Sequence, residues 1–310
     1  MKRITTIVIF SVIIALFSQS NAQTKVYQLN LQDEINPAVW RNTKMAFQDA
    51  KSKKAEVFII NMNTYGGLLD YADSIRTKIL NAEIKTIVFI DNNAASAGAL
   101  ISIACDKIYM NKGASIGAAS VVNGQGEVLP EKYQSYMRGL MRTTAEAKGR
   151  NPKIAEAFVD PNVEIEGINA KGKVLTLTTQ EAIKNGFCVA QASSISEVLT
   201  MEGYTNVEII EYTPTFTDII IGFLTNPAVS GVLILFIIGG IYFEMQSPGI
   251  GFALLVSIVA SLLFFAPLYL EGLAANWEIL LFFIGIVLLI LEIFLIPGFG
   301  VFGILGIVCI

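Results

Sequence analysis

The sequence predicts an α/β domain built on a largely parallel sheet and followed by a C-terminal bundle of membrane helices. Three observations carry this. Between Lys25 and Tyr212 the apolar residues alternate between strand-like and helix-like periods. From about Asp218 onward the chain becomes a succession of long apolar runs. It opens on Met1-Lys2-Arg3, an apolar stretch from Ile4 to Phe17 and then Ser20-Asn21-Ala22, the layout of a secretory signal peptide.

The first segment, 1–22, is read as a signal peptide, so that the mature chain starts near Gln23. Its apolar run falls short of the ~20 residues that cross a bilayer, which disfavours an uncleaved anchor. Either reading puts the following domain outside the cytoplasm, on the periplasmic or extracellular side.

Val26 to Leu31 reads as a strand, Pro37 to Lys53 as a helix with Val39, Met45, Ala46 and Ala50 inward, and Glu56 to Met62 as a more buried strand. The unit then repeats. Leu68 to Leu80 is helical, Thr86 to Asp91 a short apolar strand, Ser96 to Ala104 a helix of small residues, and Lys107 to Met110 another strand. Such alternation favours parallel strands joined by helices. Glu131 to Gly149 and Pro152 to Val159 follow as helices, Val174 to Leu177 as a strand, and Thr179 to Asn185 as a helix ended by Gly186. The α/β domain is expected over 23–212, and its length is ample for one core. From Val207 to Pro227 polar and apolar residues mix with two prolines, the join to the membrane, with 213–227 as the linker proper.

The membrane helices, over 228–310, are drawn from the runs Ile219 to Phe243, Ile250 to Leu270, Ile279 to Ile296 and an unfinished one from Val301. No Lys or Arg follows Lys184, so the positive-inside rule has nothing to count and orientation rests on the signal peptide. Phe243 to Phe252 and Glu292 to Val301 share a Pro-Gly break, which reads either as an internal duplication or as two ordinary helix ends. Glu244, Glu271 and Glu278 lie near the ends of apolar runs and are expected at the membrane interface, whereas Glu292 lies deeper.

Histidine is absent from all 310 residues. This excludes Ser-His-Asp and Cys-His catalysis and most zinc sites, so a serine nucleophile here would need a lysine as base. No metal and no cofactor is implied, and no basic footprint for nucleic acid is visible. The 53% hydrophobic content averages two unlike halves, so the net charge of -4 says little about partners. Cys105 and Cys188 sit in apolar contexts and are read as small buried residues, with a disulfide as the alternative in an oxidising compartment.

Ser96, in Asn93-Ala94-Ala95-Ser96-Ala97-Gly98, falls where a strand hands over to a helix. A helix start has unpaired N–H donors and a partial positive charge, so Ala97 N–H is a natural donor to a developing oxyanion. Gly66 and Gly67, in Asn63-Thr64-Tyr65-Gly66-Gly67, are candidates for the second donor because paired glycines let the backbone approach a ligand closely. A plain tight turn and a plain small-residue helix are the alternatives for either motif taken alone.

Together with Lys107-Ile108-Tyr109-Met110, Ser115-Ile116-Gly117-Ala118, Gly149-Arg150-Asn151-Pro152 and Leu177-Thr178-Thr179-Gln180-Glu181-Ala182, these motifs resemble, in order, the NfeD family of membrane-bound serine proteases of the ClpP/crotonase superfamily. The resemblance covers nearly the whole chain and implies a ClpP/crotonase-like protease domain, Ser96 as nucleophile and Gly67 and Ala97 as the oxyanion hole. It also implies a hydrophobic peptide substrate, a stomatin-like membrane protein as partner, and self-association into a homo-oligomer. The family's C-terminal OB-like domain is read as absent from this chain.

The base is where the sequence departs from the family. Counting back from Gly149-Arg150-Asn151 puts Arg142 where relatives are expected to carry lysine, and arginine stays charged and cannot accept the proton. Lys132 and Lys148 lie about 15 Å and 9 Å from Arg142 along the predicted helix. Lys132 is the candidate base if the segment from Ser120 to Leu129 folds over the site; a surface or ion-paired role is the alternative for both lysines. Arg142 is expected to hold a substrate carboxylate or carbonyl, or to pair with Asp160 or Glu146. The expected function is a membrane-anchored serine endopeptidase forming an acyl-enzyme at Ser96. The rival is a weak or inactive membrane scaffold beside a stomatin- or flotillin-like protein, and an acyl-CoA enzyme is disfavoured by the export signal.

Overall fold

A computed structural model describes residues 23–246, 251–270, 276–295 and 300–309. The expected signal peptide and Glu271 lie outside them. The chain divides into two compact units between Thr213 and Pro214.

The first unit begins with β1 (Thr24–Leu31), α1 (Pro37–Ser52), β2 (Val57–Thr64), α2 (Leu69–Leu80), β3 (Lys85–Ala95), α3 (Ala97–Ala104), β4 (Lys107–Met110) and β5 (Ser115–Gly117). It continues through α4 (Glu131–Ala147), α5 (Pro152–Ala157), β6 (Thr176–Thr178), α6 (Thr179–Lys184), β7 (Ala190–Gln191), α7 (Ile195–Met201) and β8 (Val207–Glu211). The sheet runs β6-β5-β3-β2-β1-β8, with β4 joining β3 to β7. Every pairing is parallel except that of β5 with β6. This is the α/β class expected, with a largely parallel sheet.

β3 extends beyond the apolar stretch that marks it in the sequence. Its first half pairs with β4 (Ile87 to Lys107, Ile90 to Met110), and its second, polar half pairs with β5 (Asn93 to Ser115, Ala95 to Gly117). The register between β2 and β3 shifts between Met62 and Thr64, and pairing resumes at Thr64 with Ala94, which keeps their carboxyl ends side by side. One face of the sheet packs under α1 to α5 around Phe58, Ile60, Val88, Ile90, Leu100 and Met141, all buried. The other face, around Val57, Ile59, Ile87 and Phe89, is covered by Val198 and Leu199 of α7.

Val207–Glu211, expected in the join, is instead an edge strand beside β1. Its period-2 alternation is diluted because an edge strand buries little of either face. Cys105 and Cys188 are free thiols in the core, as read from their neighbours.

The side chain of Glu202, just past α7, is only 2% exposed, and it accepts hydrogen bonds from Lys85 Nζ (2.7 Å), Lys107 Nζ (2.7 Å) and the Tyr109 hydroxyl. Burial by itself would raise this carboxyl, but the three donors outweigh it and bring it from 4.5 down to about 2. A depressed carboxyl stabilises the fold above its unfolded value and loses that contribution as pH falls through its folded value. Acid titration followed by circular dichroism should therefore show stability falling between pH 4.5 and about 2. Glu202→Gln should remove this limb and cost about 2 kcal/mol at neutral pH, allowing for screening at the part-exposed lysines.

The second unit contains α8 (Phe216–Leu224), α9 (Pro227–Gln246), α10 (Phe252–Leu270), α11 (Asn276–Leu295) and α12 (Val301–Cys309). α9 and α10 contain stretches long and apolar enough to cross a bilayer. The run expected as one helix from Ile219 is split at Thr225-Asn226. Thr225 closes α8, and Asn226 Oδ1 accepts from Ala228 N–H (3.0 Å) ahead of a new helix that starts on Pro227. Glu244, expected at the interface, is buried and accepts from Gly251 N–H and Leu254 N–H (3.1 Å) at the start of α10. Glu292 is likewise buried and accepts from Gly300 N–H ahead of α12. The repeated sequence pattern thus has a structural counterpart: in two successive helix pairs, a glutamate from the first helix satisfies free N–H donors at the start of the second.

Candidate active site

β2 and β3 are neighbours in the sheet, and the chain leaves both at their carboxyl ends. β2 passes through Tyr65-Gly66-Gly67-Leu68 into α2; β3 passes through Ser96 into α3. The two exits touch, since a Cβ placed on Gly66 would lie 2.7 Å from Ser96 Cβ and 3.1 Å from Ser96 Oγ. Only a glycine allows that approach, and at φ +114 it also adopts a backbone that side chains avoid. Gly67 (φ +149) is pressed against Ile35: Ile35 N–H donates to Gly66 O (2.8 Å), and Leu68 N–H donates to Ile35 O (2.7 Å). Thr64 locks the turn from below. Its hydroxyl donates to Asp33 O (2.7 Å) and accepts from Gly66 N–H (3.2 Å). Gly98 lets α3 lie on this threonine, where a Cβ would sit 2.7 Å from Thr64 Cγ2.

Ser96 has φ +53 and ψ −115, a conformation of order 1–3 kcal/mol above ordinary backbone for a residue with a side chain. It is held there at both ends. Its N–H donates to Gly117 O (2.9 Å), the last residue of β5, and its carbonyl accepts from Ala99 N–H (3.0 Å) and Leu100 N–H (3.3 Å). A serine at a helix start usually caps it with its hydroxyl. Ser96 does not, and among the described residues its Oγ makes no hydrogen bond. A half-buried hydroxyl on a strained strand-to-helix turn is the arrangement of a nucleophile elbow. Among the described residues the N–H groups of Gly67 and Ala97 also have no acceptor, whereas that of Gly66 is taken by Thr64. Gly66 thus supplies space beside the serine.

Of the residues singled out in the sequence, Ser96, Gly66, Gly67 and Ala97 come together. Lys132 lies on the first turn of α4 and lines a groove of 770 Å³ with Leu69, Asp70, Tyr133, Tyr136 and Leu140. Arg142 faces outward and pairs with Glu156 (3.5 Å), not with Asp160 or Glu146. Asp160 takes Arg138 instead (3.4 Å). Lys148 pairs with Asp106 (2.5 Å) just past the end of α3, about 12 Å from its serine end.

The Gly149-Arg150-Asn151 motif serves the site from a distance. Gly149 (φ +67) follows the end of α4, and the Asn151 side chain caps α5. Arg150 is buried and donates to Ile103 O (2.9 Å) and Asp106 O (3.2 Å), holding the carboxyl end of the serine helix. Its neighbours in sequence gave no sign of this, because both acceptors are backbone carbonyls more than forty residues away. Arg150→Ala leaves two carbonyls short of a donor and is expected to cost about 3 kcal/mol. Arg150→Lys should recover less than half, having no planar fork to span both, as chemical denaturation would show.

The comparisons agree with this architecture. Residues 25–212 match the NfeD1b N-terminal domain, and residues 228–310 match the NfeD integral membrane domain. The chain is 34% identical over 294 residues to "Membrane protein NfeD1b" of Bacillus subtilis, covering 94% of this chain and 67% of that protein. It is 28% identical over 268 residues to "Membrane-bound protease PH1510" of Pyrococcus horikoshii, covering 78% of this chain and 58% of that one. Among solved structures, a lysine-to-alanine variant of the 1510-N membrane-bound stomatin-specific protease, in complex with a substrate peptide, aligns with a TM-score of 0.57 and 27% identity. That alignment covers 66% of this chain and 99% of the other. With the NfeD1b N-terminal domain over 25–212 and the NfeD integral membrane domain over 228–310, this chain belongs to the NfeD family.

Proposed function

We propose that this protein is a membrane-anchored serine endopeptidase that cuts hydrophobic peptide segments through an acyl-enzyme at Ser96. The observation that carries the reading is the uncapped, strained serine at the carboxyl end of β3, flanked by the free amides of Gly67 and Ala97. Ser96 Oγ attacks the scissile carbonyl carbon and passes its proton to a lysine amine acting as base, while the carbonyl oxygen becomes an oxyanion held by the two N–H groups. Collapse breaks the C–N bond, and the lysine returns the proton to the leaving amine. Water then repeats the sequence on the ester and frees the serine.

Lys132 is the proposed base. What supports it is its place in the groove with Leu69 and Asp70, which follow the Gly66-Gly67-Leu68 turn, while Arg142 is engaged with Glu156 and Lys148 with Asp106. Arg142 is proposed to meet the carboxylate or carbonyl of a bound peptide by exchanging its exposed ion pair. A stomatin-like membrane protein is proposed as substrate by analogy with the stomatin-specific relative, and a homo-oligomer as the working form. The domain is proposed to act on the periplasmic or extracellular side.

A fluorophosphonate probe on the detergent-solubilised full chain tests the reading. Labelling of the native protein that disappears in Ser96→Ala, and drops at least tenfold in Lys132→Ala, is the expected result. Absence of labelling in the native protein would leave the scaffold reading in its place. Retained labelling in Lys132→Ala would move the base elsewhere.

A further inference from the structure

α8 is nine residues long, too short to cross a bilayer, and its two sides differ. The inner side carries Asp218 and Ile221, both buried, and Leu224, which packs against the cluster of Leu233, Ile237 and Phe282. Phe216, Ile219, Ile220 and Phe223 occupy the other side at helical spacing, and they are 78%, 59%, 41% and 63% exposed. Both ends are finished with polar caps. A Thr215–Asp218 capping box opens the helix, and Thr225 closes it, its hydroxyl donating to Ile221 O (2.8 Å).

Four large apolar side chains on one solvent-facing stripe need an occupant. We propose that it is lipid, with α8 lying along the membrane surface and this stripe inserted among the upper acyl chains. Two observations favour lipid over a protein partner. The stripe lies immediately before α9, which opens the integral membrane domain after Thr225 and Asn226 and itself exposes the large apolar Val232, Leu235 and Phe236. The stripe also carries no polar group to specify a protein partner. No Lys or Arg occurs anywhere after Lys184, so the insertion uses hydrocarbon burial alone and, unlike that of basic surface helices, does not depend on anionic lipid. This inference is independent of whether Ser96 turns over a substrate.

The test uses the full chain in phosphatidylcholine nanodiscs, with Trp40 and Trp277 changed to Phe and a single reporter introduced by Phe223→Trp. Brominated phosphatidylcholine should quench this tryptophan about twofold more when the bromines sit near the headgroup than when they sit near the chain end, as follows for a face about 5–10 Å deep. Replacing part of the lipid with phosphatidylglycerol should leave the quenching unchanged. A reporter at Met201→Trp, in the soluble domain, should show no quenching. A nitroxide at Ile219→Cys, more accessible to oxygen than to a water-soluble nickel chelate, gives the same reading if the tryptophan variant does not fold. Quenching no greater than at Met201→Trp overturns the proposal, as does quenching strongest from the deep bromines. Protection that appears only at high protein-to-lipid ratio would assign the stripe to a second copy and would also overturn it.

Discussion

Ser96→Ala is expected to lower peptide cleavage on the order of 10,000-fold while leaving the fold in place, and Ser96→Gly to do the same while making the protein more stable. The two variants separate chemistry from strain. Both lose the proposed Oγ nucleophile, but alanine keeps a Cβ at φ +53 whereas glycine populates that region freely. Relief of the strain, of order 1–3 kcal/mol, is partly offset by the greater entropy glycine loses on folding. A net gain of about 1 kcal/mol for Ser96→Gly over Ser96→Ala remains. Thermal unfolding of both detergent-solubilised variants checks this, and equal stabilities would mean that the elbow stores no strain. Such a gain, at a position where it removes activity, is the stability–function trade expected of a built catalytic turn.

Gly67→Ala is expected to cost about 4 kcal/mol and to reduce turnover at least 100-fold in whatever folded fraction remains. Its new Cβ would lie 2.3 Å from Ile35 O and 2.5 Å from Ile35 N, and these are backbone atoms that cannot swing aside. Relief would require the 35–36 segment to retreat. That segment holds the turn, because Ile35 bonds to both Gly66 and Leu68. A retreat therefore moves the Gly67 amide away from Ser96 and weakens one of the two proposed oxyanion donors. Chemical denaturation gives the first number and steady-state peptide cleavage the second. Unchanged stability would show that the close approach at Ile35 is not maintained in solution.

Much of the fold was legible because burial leaves a local trace. A short continuous apolar run opens Val57–Thr64 and apolar residues recur at helical spacing in Pro37–Ser52, and each pattern names its element without reference to the rest of the chain. The membrane runs were legible for the same reason. The second half of β3 was not. Asn92 and Asn93 read as the end of a strand, and only pairing of Asn93 to Ala95 with β5, some twenty residues on, keeps the backbone extended up to Ser96. The split between α8 and α9 was legible in part: the apolar run from Ile219 to Phe243 reads through it, but the linker is drawn to end at Pro227, where Asn226 caps the new helix. Arg142 and Lys148 likewise found partners, Glu156 and Asp106, that the folded chain brings within reach.

By itself, then, the sequence determined that an α/β layer structure precedes a membrane domain, that no imidazole takes part in any chemistry, and that a serine amid small residues opens a helix. Tertiary structure alone decided that Gly66 touches this serine, that its hydroxyl is left uncapped, and that Arg150 braces its helix from the far end. The physical reason is range. Periodicity and composition record how each residue meets water and its near neighbours, whereas the geometry around Ser96 is set by hydrogen bonds and close approaches from Ile35, Thr64 and Gly117, which meet only after the sheet has assembled.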